Sequence, residues 1–412
     1  MADVVWTLEQ ARAVAIAAQG LDRSLGGVAS VLEQAGLVRT LGGIEAYLAL
    51  CARGAEITPD AVHAAVERRA ACVVPAARGC MYLAPARDVA ASLALADSLS
   101  SGRAAREHER AGIQPGEVEA LGQRVAAVLD RLGPLTTDAI RKALPEGSVR
   151  SLGEQGRKIG IASPLPAALR RLEMDGRIER SPEEHRLDNE RYRWRLVAAR
   201  AIPRPSVEGA LAHLAEGYFR AAGLGTVKNF ADWAGVAQRD AQAAVDRLDT
   251  VTVRVEGLAV VHHALPEAKA LAEREPGMQR TVALLGFEDN LLALHGRPAA
   301  LVSPQFHGIE VPSWGSNTRS RLGEARHLSH RPVVAEGRIV GFWEHDPDAQ
   351  AVVVGFFERV SMASRERARE RAAALDALIR ELGHAHSFSL DTDEDMRKRA
   401  AWVRELAPAS PS

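Results

Sequence analysis

Between residues 157 and 195 lie Arg157, Lys158, Arg170, Arg171, Arg177, Arg180, Arg191, Arg193 and Arg195, with Tyr192 and Trp194 set among the last three arginines. Guanidinium groups bind phosphate through paired hydrogen bonds, and aromatic rings stack on bases. The cluster therefore has the chemistry of a nucleic-acid surface. The same residues could instead form a solvated arginine-rich hairpin packed on a neighbouring domain. With 52 Lys+Arg against 53 Asp+Glu the chain carries a net charge of −1. Affinity for a polyanion must then come from a local patch, not from the molecule as a whole.

Other polar groups fit catalytic roles less well. Glu288 and Asp289 are neighbours, but adjacent residues on a strand point to opposite faces, so a turn or ion-pair role fits them better than an acid–base pair. His295, His307, His327, His330 and His345 follow no metal-ligand spacing. Gly42-Gly43 is followed by no Lys-Ser/Thr and so is no phosphate loop; it allows backbone to approach backbone or DNA closely. Trp343-Glu344-His345 reads as one core aromatic with two rim residues.

The elements that must position the basic cluster are legible around it. Ser163 is expected to cap a helix with Pro164 in its first turn, and Leu165, Ala168, Leu169 and Leu172 recur at helical spacing. Arg170 and Arg171 are left on the outer face, and Gly176 supplies a left-handed stop. Residues 177–180 and 191–195 then alternate like the two arms of a hairpin, joined by a polar loop. A helix followed by a basic hairpin is the form in which a winged helix meets a duplex.

The pattern occurs three times. In the first stretch Thr7 caps a helix ending near Gly20. Helices follow over residues 28–35, after Gly42-Gly43 through Cys51, and from Thr58-Pro59 to Arg68-Arg69, before strands at 71–74 and 80–83. Residues 88–115 form a helical connection with a loop at 100–103. Val118, Leu121, Val125, Val128, Leu129 and Leu132 make an amphipathic helix, and Thr136-Thr137 caps a short one. The third copy has helices over 207–218, 227–234 and 237–248. Arg239 and Gln242 face outward on the last of these, and strands are expected at 250–255 and 258–262. Beyond residue 265, apolar runs at 281–285, 291–295 and 300–303 precede clearer strands at 332–335, 338–344 and 351–357. These suggest a small antiparallel sheet or barrel. A charged helix from Ser361/Ser364 to Gly383 and a last helix over 393–406 precede a frayed tail at 407–412. The expected fold class is α+β: tandem winged-helix (helix-turn-helix) modules with a C-terminal small antiparallel β-barrel-like domain. The expected divisions are 1–95, 96–200, 201–265, 266–360 and 361–412.

Composition limits the setting. A chain of 412 residues can hold several cores, and no apolar run reaches the length of a membrane span. Cys51, Cys72 and Cys80 lack metal-ligand spacing. Cys72 and Cys80 could face each other across a hairpin, but the small odd count implies reduced thiols. With no signal-peptide pattern, a cytoplasmic protein is expected. No metal and no cofactor are expected, and the chain is expected to be monomeric.

Five stretches together resemble a known family: ARAVAIAAQGL (11–21), LVRTLGGIEAYLALCAR (37–53), LGEQGRKIGI with LPAALRRLEMDGRI (152–178), LDNERYRWRL (187–196) and EGRIVGFWEHD (336–346). The chain is similar to the bacterial winged-helix proteins related to the AlkZ/YcaQ interstrand-crosslink DNA glycosylases. The resemblance implies three tandem winged helices around a channel sized for double-stranded DNA, closed by a barrel-like domain. It also implies metal-free excision of bulky alkylated purines. Active members carry Gln-x-Gln or Gln-x-Asp just after the Gly-Gly pair; here the segment is Gly42-Gly43-Ile44-Glu45-Ala46-Tyr47, with neither glutamine. Glu45 is the polar side chain that could substitute, since a carboxylate can position or deprotonate water and stabilise an oxocarbenium-like sugar. It could equally be a helix N-terminal carboxylate favoured by the macrodipole. Gln19, near the end of the first helix, could approach the Gly42-Gly43 loop as a positioning group or could be a polar helix terminus. Three functions stay open: a DNA glycosylase, a non-enzymatic DNA binder such as a regulator or damage-recognition module, and a scaffold of degenerate winged helices.

Overall fold

The structure is a computed structural model, and it describes residues 4–40, 42–197, 203–273, 281–296, 298–313 and 318–407. The chain is α+β. Its strands form a six-stranded, a four-stranded, a three-stranded and a two-stranded sheet among the described residues.

The basic hairpin is the middle of the largest sheet. Ile178–Pro182 and Tyr192–Leu196 pair antiparallel, with Arg180 opposite Trp194 and Ser181 opposite Arg193. Leu135–Thr136 joins the outer edge through Trp194 and Arg193. On the other side Val73 pairs with Arg180, so the hairpin Cys72–Pro75/Met81–Ala84 and the short strand Val38–Arg39 continue the same sheet. Two hairpins far apart in sequence thus share one hydrogen-bonded surface. Cys72 pairs with Ala84, and Cys80 lies in the turn beside Arg39; the two thiols do not face each other, and all three cysteines are free.

Helices cover this sheet where the apolar periodicity predicts them. Thr58 caps Pro59–Glu67, and Thr136 caps Thr137–Ala143. Pro115–Leu132 buries Val118, Leu121, Val125, Val128 and Leu129 against Leu165–Met174. Ser163 does not cap that second helix: Pro164 occupies the cap position, and the Ser163 hydroxyl accepts from Arg141 at 3.3 Å. The loop expected at 100–103 is also absent. Val89–Arg110 runs unbroken, and within it the buried Ser100 hydroxyl is satisfied by donating back to the Ala96 carbonyl at 2.7 Å.

Helices Val207–Ala222, Val227–Ala234 and Gln238–Val245 pack around Tyr218, Phe219, Phe230 and Trp233. Their hairpin is Val251–Val255 with Val261–Ala264, so the second arm starts three residues later than the alternation predicts. Val4–Trp6, a strand that the short N-terminal run did not announce, pairs parallel to Val251–Val255. The Thr7-capped helix Leu8–Ala18 packs beside this third bundle.

The C-terminal sheet has the order Val282–Leu284, Arg331–Ala335, Arg338–Asp346, Ala351–Phe356. A bulge between Val333 and Val334 curls it, but the strand order is open, so it is a half-barrel and not a closed one. The run at 291–295 lies instead in and just after a helical turn, Asn290–Ala293, capped by Asp289. Met362–Leu382, capped by Ser361, and Asp393–Glu405 cover the sheet. The expected frayed tail beyond residue 407 lies outside the described residues. Val31, Leu32, Tyr47 and Leu48 share one buried cluster with Val282, Leu284, Trp343, Leu375 and Leu378. That shared core brings the first fifty residues to the C-terminal sheet.

Candidate nucleic-acid interface

Gly42 and Gly43 are pinched between two distant segments. Gly42 has φ +70, and a Cβ there would stand 2.6 Å from the side chain of Glu190 in the loop that joins the two arms of the basic hairpin. A Cβ on Gly43 would overlap the His386 carbonyl and Ser387. The Ile44 N–H donates to that His386 carbonyl at 2.9 Å. One border of the loop is therefore Glu190 and Arg191; the other is the turn after the long C-terminal helix.

Behind the loop, Glu45 opens the helix Glu45–Cys51 and is 5% exposed. Its carboxylate accepts from the Phe287 N–H at 2.9 Å and from the Arg331 Nε at 3.0 Å. Arg331 also donates to Glu344 at 2.7 Å, to the Ala385 carbonyl at 2.7 Å and to the Ser387 hydroxyl at 2.8 Å. Glu344 is shared with Arg399, which holds Asp391 through two bonds of 2.8 and 2.9 Å. Burial pushes the Glu45 carboxyl above the usual carboxylate range, and the Arg331 charge opposes the shift. Glu45 is thus enclosed in an alternating chain of charges, and both of its oxygens are engaged.

Gln19 is not brought to the Gly42-Gly43 loop. It is fully buried, donates to the Ala221 carbonyl at 2.6 Å and accepts from Arg53 at 2.7 Å, at the opposite end of the helix from Glu45. Arg53 pairs with both oxygens of Asp289 at 2.7 Å. Glu288 pairs with Arg39; the two adjacent carboxylates lie in a turn outside any strand, and each makes its own ion pair, the role expected of them.

The arginine cluster divides into two groups. Arg180 grips Glu173 at 2.6 and 3.0 Å, and its guanidinium lies 4.6 Å from the Trp194 ring and 5.3 Å from that of Tyr192. These three side chains tie the helix Leu165–Met174 to the hairpin, and burial raises the Tyr192 hydroxyl pKa. Arg171 pairs with Asp175 and Asp97, Lys158 with Glu154, and Arg195 with Glu179 and Glu67. Arg157, Arg170, Arg177, Arg191 and Arg193 have no ion pair among the described residues, and all but the half-buried Arg170 are exposed. Alternation along the strand puts Arg191 and Arg193 on the face opposite Tyr192 and Trp194, in a row that starts beside Gly42. Arg170 lines a separate cleft of ≈ 500 Å³ with Arg171, His108 and Gln114. Arg239 and Gln242 lie exposed on another helix, beside Asp240 and Asp246.

Sequence reasoning missed Arg53 and Arg331, single basic residues whose carboxylate partners Asp289 and Glu45 lie 236 and 286 residues away, and Arg399, which closes the run Arg397-Lys398-Arg399 and turns inward to Asp391 and Glu344. It also passed over Leu390, which is 82% exposed at the turn bordering Gly43. Among the described residues no group of three or more His, Cys, Asp or Glu side chains could hold a metal, and no helix is long and apolar enough to cross a membrane.

Comparison with known proteins gives this arrangement a family. No curated protein matches the sequence. Among solved structures, the Streptomyces sahachiroi DNA glycosylase AlkZ shares the fold, with a TM-score of 0.64 at 20% identity over 92% of this chain and 97% of that one. The model of the AlkZ-like DNA glycosylases matches residues 34–385, and the chain belongs to that family.

Proposed function

We propose that the chain binds double-stranded DNA across the surface bordering Gly42-Gly43 and hydrolyses the N-glycosidic bond of a bulky alkylated purine held there. The observation that carries the binding half is the row of exposed arginines without ion pairs, Arg191 and Arg193, running from the Gly-Gly loop. A duplex needs such free guanidinium groups for its phosphates. Arg157, Arg170 and Arg177 extend the contact in this reading, and Arg239 and Gln242 belong to the third module. Arg171, Arg180, Lys158 and Tyr192 act mainly through their neighbours. The modules are winged helices divided at 1–95, 96–200 and 201–265, followed by a half-barrel over 266–360 and helices to 412. The protein acts as a cytoplasmic monomer without a cofactor.

For the chemistry, Glu45 is the carboxylate at the family's motif position, and its water would have to reach it from the Gly42-Gly43 side. Gln19 would support it only indirectly, by holding Arg53. A duplex carrying an N7-alkylated guanine, incubated with the protein and then cleaved at abasic sites with alkali, tests the activity. Strand breaks that vanish in Glu45→Gln support both halves. Breaks that persist unchanged in that variant remove Glu45 from the mechanism.

One observation favours a second reading, a non-enzymatic DNA recogniser: both Glu45 oxygens are already engaged by Arg331 and the Phe287 N–H. Such a protein would retard the duplex in a gel and leave no abasic sites.

A further inference from the structure

Leu390 is a large apolar side chain that the fold exposes yet holds on a stiff mount. It sits 82% exposed in the turn closed by the Asp391 N–H on the Phe388 carbonyl at 3.0 Å. Asp391 accepts from the Ser387 N–H at 2.9 Å and is gripped by Arg399, while the Ser387 hydroxyl accepts from the buried Arg331. The Phe388 ring stands 6.1 Å from that of Phe287, whose N–H donates to Glu45. The backbone at His386 and Ser387 presses on Gly43, and the opposite border of that loop is Glu190 with the exposed Arg191.

An exposed leucine gains nothing from folding, so the bracing beneath it does not serve the leucine's own burial. A mobile side chain pushed against a base stack would give way; one mounted on buried ion pairs would not. We propose that Leu390 is an apolar wedge that enters the stack of a bound duplex at the damaged nucleotide, while Arg191 and Arg193 hold the phosphates beside it. Apolar side chains that part base steps exchange stacking between bases for stacking on themselves, which lowers the cost of exposing a base to a site. The inference rests on the DNA-binding reading above.

The test uses the full chain and a duplex carrying a bulky N7-alkylguanine next to 2-aminopurine, whose fluorescence rises on unstacking. Wild-type protein is expected to raise that fluorescence on binding. Leu390→Ala is expected to abolish the rise and to slow excision from the duplex roughly tenfold to a hundredfold, the range set by an unstacking cost of a few kcal/mol. The same variant should excise normally from the unpaired strand, which has no stack to part. It should also keep the affinity and salt dependence for undamaged duplex, because no phosphate contact is lost. Leu390→Met should restore unstacking.

A Leu390→Ala protein that unstacks like wild type, or that slows on duplex and single strand alike, overturns the proposal. If wild type excises nothing but shows a Leu390-dependent fluorescence rise, the glycosylase reading falls and the wedge stands. If wild type neither binds nor unstacks the duplex, both fall.

Discussion

The Glu45 carboxylate and the Arg331 guanidinium form a buried pair with a 3.0 Å contact, 4% and 1% exposed at their side chains. The pair joins the start of a helix near residue 45 to a strand 286 residues later. It stands directly behind the Gly42-Gly43 loop and fastens that loop, through Ala385 and Ser387, to the C-terminal turn.

Removing Arg331 should be costly. Arg331→Ala leaves Glu45 with no cation and Glu344 with only Arg399, and a broken buried pair costs about 3–5 kcal/mol. Glu45→Gln keeps an acceptor for the Phe287 N–H and should cost less, about 1–3 kcal/mol. Urea unfolding of the two variants beside wild type gives the order directly. Equal midpoints for all three would show that the pair contributes no stability.

The free and the engaged arginines should separate in DNA binding. Arg191→Ala combined with Arg193→Ala should weaken binding to duplexes of any sequence. It should reduce the slope of log K against log salt by about 2, close to one counterion per lost phosphate contact. Arg180→Ala should leave that slope alone and lower thermal stability instead, since its guanidinium is committed to Glu173 and Trp194. Fluorescence anisotropy across a salt series, with a melting curve for each variant, distinguishes the two behaviours.

His330 should make the fold acid-sensitive above the range in which carboxylates titrate. It is 4% exposed, with its ring 4.3 Å from that of Trp402, close to Phe342, and with its Nδ1 at the Ser329 hydroxyl. Burial, with the Arg399 charge adding to it, pulls its pKa down from 6.5 to about 3. The unfolded chain therefore binds this proton between those values and the folded one does not. Stability is whole above pH ~6.5 and declines as pH falls, by on the order of 2 kcal/mol near pH 5. Asp188 and Asp391, both held below their usual range, add their loss only further into acid. Thermal unfolding between pH 8 and 4.5 should show this decline, and His330→Phe should lessen it, leaving the share due to His295, whose pKa burial pulls down to about 4.

Gly43 should tolerate no side chain. Gly43→Ala drives a Cβ into the His386 carbonyl and Ser387, both backbone held by Arg331 and Asp391, so neither can swing away as a flexible side chain could. An overpacking cost of about 1–3 kcal/mol is expected, with the segment 384–391 becoming the first site of protease cleavage. A variant as stable and as resistant as wild type would falsify the close approach.

Local pattern reached far into this fold. Period-two alternation placed Tyr192 and Trp194 opposite Arg191 and Arg193, and period 3.6 placed the buried stripe of Pro115–Leu132. Caps at Thr7, Thr58, Thr136 and Ser361 were visible because each depends on neighbours within a single turn. Local reasoning failed at Ser163 and Ser100. The helix after Ser163 starts one residue later than expected, with Pro164 at the cap and the Ser163 hydroxyl accepting from Arg141, and Ser100 is satisfied inside a helix where a loop was expected. The acidic pair at Glu288 and Asp289 was readable as ion-pairing, but not which cations it would meet.

What the sequence determined by itself was therefore the inventory: the helices and hairpins, the basic cluster, the glycine pair and the family resemblance. Those features depend on dihedral preferences and apolar periodicity over a few residues. Tertiary structure alone decided which arginines are free and which are spent, that Glu45 is buried against Arg331, and that Leu390 stands exposed in the turn whose His386 and Ser387 backbone abuts Gly43. Charge pairing and burial act through space across a low-dielectric core: Glu45 meets Arg331 across 286 residues of chain and Arg53 meets Asp289 across 236, while even the nearer pairs of the basic cluster depend on which faces the packing brings together.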